Sequence, residues 1–505
     1  MVQTRSTRAK LNILVSFGTQ IVTLICGLII PKAMISAFGS ETYGATASIA
    51  QFLSYIALLE GGIGGVARAA LYKPLAENNK NGISEVVCEI KRLFRIVAYI
   101  FVAYVLVLAC CFKKISEVKS LEWTTSFLLV LVISISTFAQ YFIGISYSVL
   151  LQAAQKTYIT HLISVFATVF NAALTVILIN LDFDILIVKL GSACVFVLRP
   201  ILMWLYVRKQ YGKLTCKTRN KNLLSQKWSG MGQHLAYFLH SHTDIAILTL
   251  CSELKLVSVY SVYNMVVAQI QTFTSSFSTG MEALFGDMLA KKEHKQLDRT
   301  FTLYDSLISF VSVVLFSAVL VLIVPFVKLY TKGINDANYI YPFFAVILTL
   351  SSFIYCLRMP YHSVIISAGH FKQTRVAAYG EALINIVFSL ILVNKFGLNG
   401  VAIGTLTATM FRFGFYVVYL SKHIINRSLI HFVKRFSVNS VAVAASTLLC
   451  YFLSRKIKIN NYLEWATFAA LTMVVIIVVT SVLYLIFYKK DVGFIFGKIL
   501  KKRTK

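Results

Sequence analysis

The chain has 505 residues, 58% of them hydrophobic and 14% charged, and its 49 Lys plus Arg against 20 Asp plus Glu give a formal charge of +29. A mean hydropathy of +0.75 excludes an ordinary soluble domain. Because the basic residues lie mostly between long apolar stretches, nucleic-acid binding is also excluded as the reason for the charge.

A spanning helix needs roughly 20 apolar residues to cover a hydrocarbon core of about 30 Å. Fourteen stretches meet or approach that length: residues 11 to 38, 43 to 70, 93 to 112, 123 to 151, 158 to 181, 183 to 207, 229 to 251, 256 to 285, 302 to 330, 338 to 367, 376 to 394, 398 to 420, 436 to 454 and 463 to 488. The expected fold class is therefore an all-α polytopic membrane protein with about 14 transmembrane helices.

The first stretch follows MVQTRSTRAK and is too long for the core of a cleavable signal, so it is read as a retained helix. Lys32 follows Pro31 in it, a position where proline permits a kink. Glu60 sits in the second stretch, inside LLEGGIGG. Small residues there allow close helix approach, and a buried carboxylate there is also a candidate for exchanging a proton or sodium ion. Lys189 and Arg199 lie in the sixth stretch, and Arg208 to Lys227 then carries seven basic residues and no acidic one.

Asp244 lies in the seventh stretch, in the string HSHTD. His240, His242 and Asp244 stand at i, i+2 and i+4, which do not share one helical face, so a metal site is rejected. Arg358 precedes Met359-Pro360 in the tenth stretch, Glu381 lies in the eleventh and Arg412 in the twelfth.

Placing both termini and the even-numbered connections on one side collects 32 basic residues there, with nine on the other side and eight within the spans. The positive-inside rule makes the richer side cytoplasmic, with both termini on it. No connection exceeds about 25 residues, too short for a soluble catalytic domain of ordinary size. The nine cysteines form no CxxC or Cys/His cluster and are read as packing residues.

A collinear echo relates the halves. Ser148, Val149 and Ala153 match Ser363, Val364 and Ala368; Asn171 and Asn180 match Asn385 and Asn394; Gly191, Arg199, Tyr206 and Lys209 match Gly404, Arg412, Tyr419 and Lys422. Duplication of a six-helix unit gives two parallel six-helix bundles around a central cleft, plus two C-terminal helices, an arrangement suited to alternating access. The expected organisation is a lobe over 1–212, a basic cytoplasmic linker over 213–228, a second lobe over 229–421, and helices 13 and 14 with a basic tail over 422–505. The last two helices are read as appended elements lining a groove for a lipid tail.

Charge in mid-membrane costs about 2.5 to 3.5 kcal/mol per residue on insertion scales, so such residues mark a pathway or a structural pair. Arg199 and Arg412 are among the deepest basic residues and are repeat mates, so they lead the candidates for binding an anionic headgroup, with Arg358 extending the basic cleft and Lys32 near its outer end. The competing reading for the arginines is pairing with a carboxylate or a helix carbonyl. Asp244, Glu60 and Glu381 are the coupling or gating candidates, and aligning Ser40-Glu41 with Ser252-Glu253 makes Asp244 the mate of Lys32 across a possible gate.

The strings IIPKAMISAFGSETYG, SYIALLEGGIGGVARAAL and TDIAIL followed by VSVYSVYNMV resemble the Wzx-type polysaccharide flippases of the multidrug/oligosaccharidyl-lipid/polysaccharide exporter superfamily. That resemblance implies a transporter, not an enzyme, that moves an undecaprenyl-pyrophosphate-linked oligosaccharide to the periplasmic leaflet of a bacterial inner membrane. It further implies coupling to H+ or Na+, contact with membrane lipids, and partnership with polysaccharide polymerase and chain-length machinery. Where relatives often carry a tyrosine after a glycine early in helix eight, this chain has Val257 to Tyr260. The alternatives are a lipid II or multidrug exporter of the same superfamily and a membrane-embedded O-antigen polymerase. Basic residues outnumber acids deep in the spans, against a cation-drug exporter, and no long periplasmic loop is present, against the polymerase.

Overall fold

The computed structural model describes residues 5–60, 63–214, 231–278, 281–425, 427–454 and 459–488. Among them every regular element is helical, and eleven helices are long and apolar enough to cross a membrane. The first of these, Leu14–Glu60, bends and covers most of the first predicted stretch and the beginning of the second, which continues in the helix Ile63–Ala76. Each of the other twelve predicted stretches also falls on helix. With no water in the hydrocarbon core, a backbone that bonds within its own segment is the economical way to span it.

The chain divides into two compact units, 1–258 and 259–505, the boundary lying inside α10. In the first unit, α1 (Arg5–Ser54) breaks at Gly39, whose φ of 81° is left-handed and suits a residue without a Cβ. A Cβ at Gly44 would run into the Leu254 carbonyl at the start of α10 (Leu254–Ser276). Short α2 (Ala57–Glu60) and α3 (Ile63–Ala76) follow, then α4 (Lys80–Ser116), α5 (Trp123–Ala139) and α6 (Ile145–Ala153). Between α5 and α6 the helix widens into a π turn over Gln140–Gly144. α7 (Thr157–Asn180) packs on α1 and on α8 (Ile185–Tyr211), and α8 packs in turn on α5.

α9 (Met231–Cys251), placed by sequence in the second lobe, packs on α1, α2 and α4 and so belongs to the first unit. The physical reason is a run of polar contacts. The His242 carbonyl accepts from Gln51 Nε2 at 2.9 Å and from the Tyr55 hydroxyl at 3.1 Å, and the Ser48 and Thr249 hydroxyls are 2.7 Å apart.

The second unit comprises the rest of α10 with α11 (Met281–Ala290), α12 (His294–Tyr330), α13 (Pro342–Ser367), α14 (Phe371–Phe396), α15 (Leu398–His423), α16 (Leu429–Ser454) and α17 (Tyr462–Phe487). α15 packs on both α13 and α14, while α16 and α17 pack on α12. Val314, Ala318 and Leu322 of α12 bury against Cys450, Phe468 and Ile476, which fixes the last two helices to this unit. Large apolar residues such as Phe166 and Ile391 remain 57% and 62% exposed, as lipid-facing positions must be. Cys26 and Cys450 are buried, whereas Cys110, Cys111 and Cys194 lie on outer faces.

The repeat mates fall at corresponding places. Asn171 on α7 and Asn385 on α14 are both buried. Gly191 and Gly404 sit where each following helix crosses back: a Cβ on Gly191 would be 2.9 Å from Leu178 Cδ1, and one on Gly404 would be 2.8 Å from the Ser389 amide nitrogen. Each crossing carries a polar tie, Thr175 with Ser192 at 3.4 Å in one and Asn385 donating to Thr405 at 3.2 Å in the other.

Candidate functional site

In the first unit Arg199 stands on α8 just before Pro200. Its Nη2 donates to the Thr168 hydroxyl of α7 at 2.8 Å, and its guanidinium lies 4.3 Å from the Phe196 ring centroid. The Nε is buried and has no partner. Arginine presents five donors in a planar fork, so most of this one's hydrogen-bonding capacity is uncommitted.

Arg199 faces a cavity of about 500 Å3 whose lining is mainly hydroxyl and amide: Ser136, Thr137, Gln140, Ser148, Thr160, His161 and Ser164, with Phe196 and Met203. Gln140 opens the π turn, and π turns recur at functional sites because one extra residue re-aims its neighbours. Gly144 closes the turn, and a Cβ there would come within 3.1 Å of Pro200 Cβ, so glycine lets the turn lie against α8. The adjacent Tyr141 donates its hydroxyl to Glu60 Oε2 at 3.3 Å. One π turn thus contributes a side chain to the arginine cavity and the next to the Glu60 carboxylate. Ser136 and Thr160 donate to carbonyls of their own helices; one cation with the remaining neutral polar groups can hold an anion of several oxygens without neutralising it completely.

In the second unit Arg358, Glu381 and Arg412 come together from α13, α14 and α15. Arg358 Nη1 donates to Glu381 Oε1 at 2.5 Å, and Arg412 Nη1 donates to the other oxygen, Oε2. Arg412 also donates to the Tyr416 hydroxyl, at 3.1 Å from Nε and 2.9 Å from Nη2. Tyr355 lies under the Arg358 guanidinium at 4.6 Å, and His362 stacks on Tyr416 with centroids 5.7 Å apart. Glu381 is 0% exposed and the arginines 5% and 6%. The cluster carries one net positive charge and ties three helices; Arg412 uses Nε, Nη1 and Nη2 on protein partners, and Arg358 uses Nη1.

The repeat mates Arg199 and Arg412 therefore occupy different surroundings. The sequence missed the reason because it starts helix eleven at 376, which leaves Glu381 near an end; α14 starts at Phe371 and carries Glu381 well inside. Asp305 lies three residues into the predicted 302–330 stretch, yet α12 begins at His294, and Asp305 forms a 2.7 Å buried pair with Arg435 of α16. Gln140 and Thr168 were missed outright, since a π turn leaves no mark in hydropathy and a threonine in a helix is unremarkable.

Of the remaining candidates, Lys32 and Glu60 are half-buried and Asp244 is buried, all three in the first unit. Lys189 is half-buried on α8. Among the described residues no group of three or more His, Cys, Asp or Glu is placed to hold a metal ion. Residues 215–228 of the basic linker, the tail from 489, Gly61, Gly62 and the His240 side chain lie outside the described residues.

No family model and no curated protein sequence matches the chain. Its fold does match solved structures. It is similar to the lipid II flippase MurJ in an inward closed conformation, at 16% identity and a TM-score of 0.71, over 95% of this chain and 99% of that one. It is similar to an inward-facing multidrug resistance MATE family transporter of the MOP superfamily, at 14% identity and a TM-score of 0.60, over 81% and 98%. It also resembles a MATE structure in the bent conformation, at 14% identity and 0.54, over 82% and 96%. The chain is thus a multi-pass helical protein with the fold shared by the MurJ flippase and the MATE transporters.

Proposed function

We propose that the chain is a flippase that moves an undecaprenyl-pyrophosphate-linked oligosaccharide from the cytoplasmic to the periplasmic leaflet of a bacterial inner membrane by alternating access. The observation that carries the reading is Arg199, a cation with an unpartnered buried Nε facing a hydroxyl-lined cavity. A pyrophosphate needs positive potential and several donors at once, and the cavity offers both. The likeness to a lipid II flippase supports a lipid-linked cargo. Lys32 is assigned an auxiliary role toward the same headgroup, and Arg358 and Arg412, braced on Glu381, leave their own cluster with one net positive charge.

With the cell interior negative, outward passage of an anion releases roughly 2.3 kcal/mol per charge per 100 mV. Coupling to H+ or Na+ is assigned to Glu60 and Asp244, with Glu381 as the brace whose neutralisation would loosen α13, α14 and α15. The positive-inside rule assigns the basic connections and both termini to the cytoplasmic side, and polysaccharide polymerase and chain-length machinery are the proposed partners.

The test uses the purified full chain in vesicles loaded with a pyrophosphate-linked polyprenyl oligosaccharide, whose sugar is scored by an impermeant oxidant. Transfer should depend on the protein and fall at least tenfold with Arg199→Ala. A neutral polyprenyl glycoside lacking the pyrophosphate should not be transferred; equal transfer of the two would refute recognition through the anion. Extrusion of cationic drugs with no lipid transfer would instead favour a multidrug exporter.

A further inference from the structure

The second unit contains a basic cavity lined by residues other than those assigned to the transported headgroup. It measures about 410 Å3 and is bounded by α12, α15, α16 and α17. One wall is a buried pair, Arg435 Nη1 with Asp305 Oδ2 at 2.7 Å, and Arg435 also donates to the Thr302 carbonyl at 3.2 Å. The mouth carries Arg427, His431 and Lys434. Arg427 reaches Asp298 only at 3.8 Å, and His431 and Lys434 are exposed, their side chains with no polar partner among the described residues.

The placement of these cations is physically unusual. α16 begins at Leu429, has no acidic residue in its first turn, and carries His431, Lys434 and Arg435 within two turns of that end. A helix N-terminus is the positive end of the macrodipole, where anions stabilise and cations do not. Arg435 is already paired with Asp305, so the exposed Lys434 and the weakly paired Arg427 leave the mouth with a positive potential that suits an external anion. Immediately beside them Ile430, Val433, Ile486 and Phe487 are 76%, 58%, 65% and 46% exposed, an apolar collar open to acyl chains.

We propose that this cavity binds the phosphodiester headgroup of an anionic diacyl phospholipid from the leaflet on the basic side of the membrane. Lys434, His431 and Arg427 meet the phosphate, Arg435 holds its place through Asp305, and the collar receives the acyl chains. The bound lipid fastens α16 and α17 to α12 and α15. Basic pockets between membrane helices on that side are suited to such headgroups, and the site is independent of the Arg199 cavity.

The experiment measures thermal unfolding of the purified full chain in neutral detergent with added phosphatidylglycerol, phosphatidylcholine, glycerol 3-phosphate or undecaprenyl pyrophosphate. Phosphatidylglycerol should raise Tm by several degrees and phosphatidylcholine should not. The double variant Lys434→Gln/His431→Gln, which leaves the Asp305–Arg435 pair intact, should lose at least half of that rise, while Lys372→Gln should keep it. An undiminished rise in the double variant would overturn the site. A rise of equal size from glycerol 3-phosphate would replace the lipid with a free phosphate, and a rise from undecaprenyl pyrophosphate alone would return the cavity to the transported substrate; either result overturns the proposal.

Discussion

Removing the Arg412 guanidinium leaves the buried Glu381 with one arginine instead of two, whereas removing that of Arg199 costs a half-buried side chain one hydrogen bond to Thr168. Breaking a buried ion pair by deleting one member costs about 3–5 kcal/mol, and losing a single hydrogen bond about 1 kcal/mol. Arg412→Ala and Glu381→Ala should therefore lower the unfolding free energy in detergent severely, while Arg199→Ala should leave it within about 1 kcal/mol of wild type and still abolish transport. Equal destabilisation by Arg199→Ala and Arg412→Ala would mean that Arg199 is also a structural brace. All three residues were legible in the sequence as charges in apolar surroundings. What hydropathy did not carry was their pairing, because that depends on which faces of α13, α14 and α15 meet.

At the scale of elements, the two crossings of the repeat respond differently to the same substitution. Gly191→Ala meets a flexible leucine methyl at 2.9 Å, which can shift, so it should cost well under about 1 kcal/mol. Gly404→Ala meets the Ser389 backbone and should cost about 1–3 kcal/mol by overpacking. Tm of the two purified variants checks this, and equal shifts would contradict the packing described. Deleting Ile143 should convert the π turn over Gln140–Gly144 into regular helix and rotate Gln140 relative to Tyr141. Transport should then fall although Arg199 is untouched; full activity of the deletion would remove the π turn from the mechanism. The existence and order of the helices followed from apolar length alone, and the order of repeat mates pointed to the α7–α8 and α14–α15 crossings. Helix starts were missed by several residues at α12 and α14, since polar first turns such as those opening at His294 and Phe371 extend beyond the apolar core.

For the whole molecule, the uncommitted Arg199 and the lipid-facing surface support the proposed outward movement of an anionic lipid-linked cargo. Net transfer of negative charge makes flux sensitive to potential, at roughly 2.3 kcal/mol per charge per 100 mV. An inside-negative potential imposed on vesicles should accelerate outward transfer, and the Arg199→Ala protein should show little transfer at any potential. The most direct measurement is the leaflet distribution of the undecaprenyl-linked oligosaccharide in cells producing either the wild-type chain or Arg199→Ala at matched levels. Outer-leaflet delivery by the wild type with inner-leaflet accumulation in the variant is the predicted result; unchanged delivery in the variant would contradict the assignment of Arg199 as the headgroup contact.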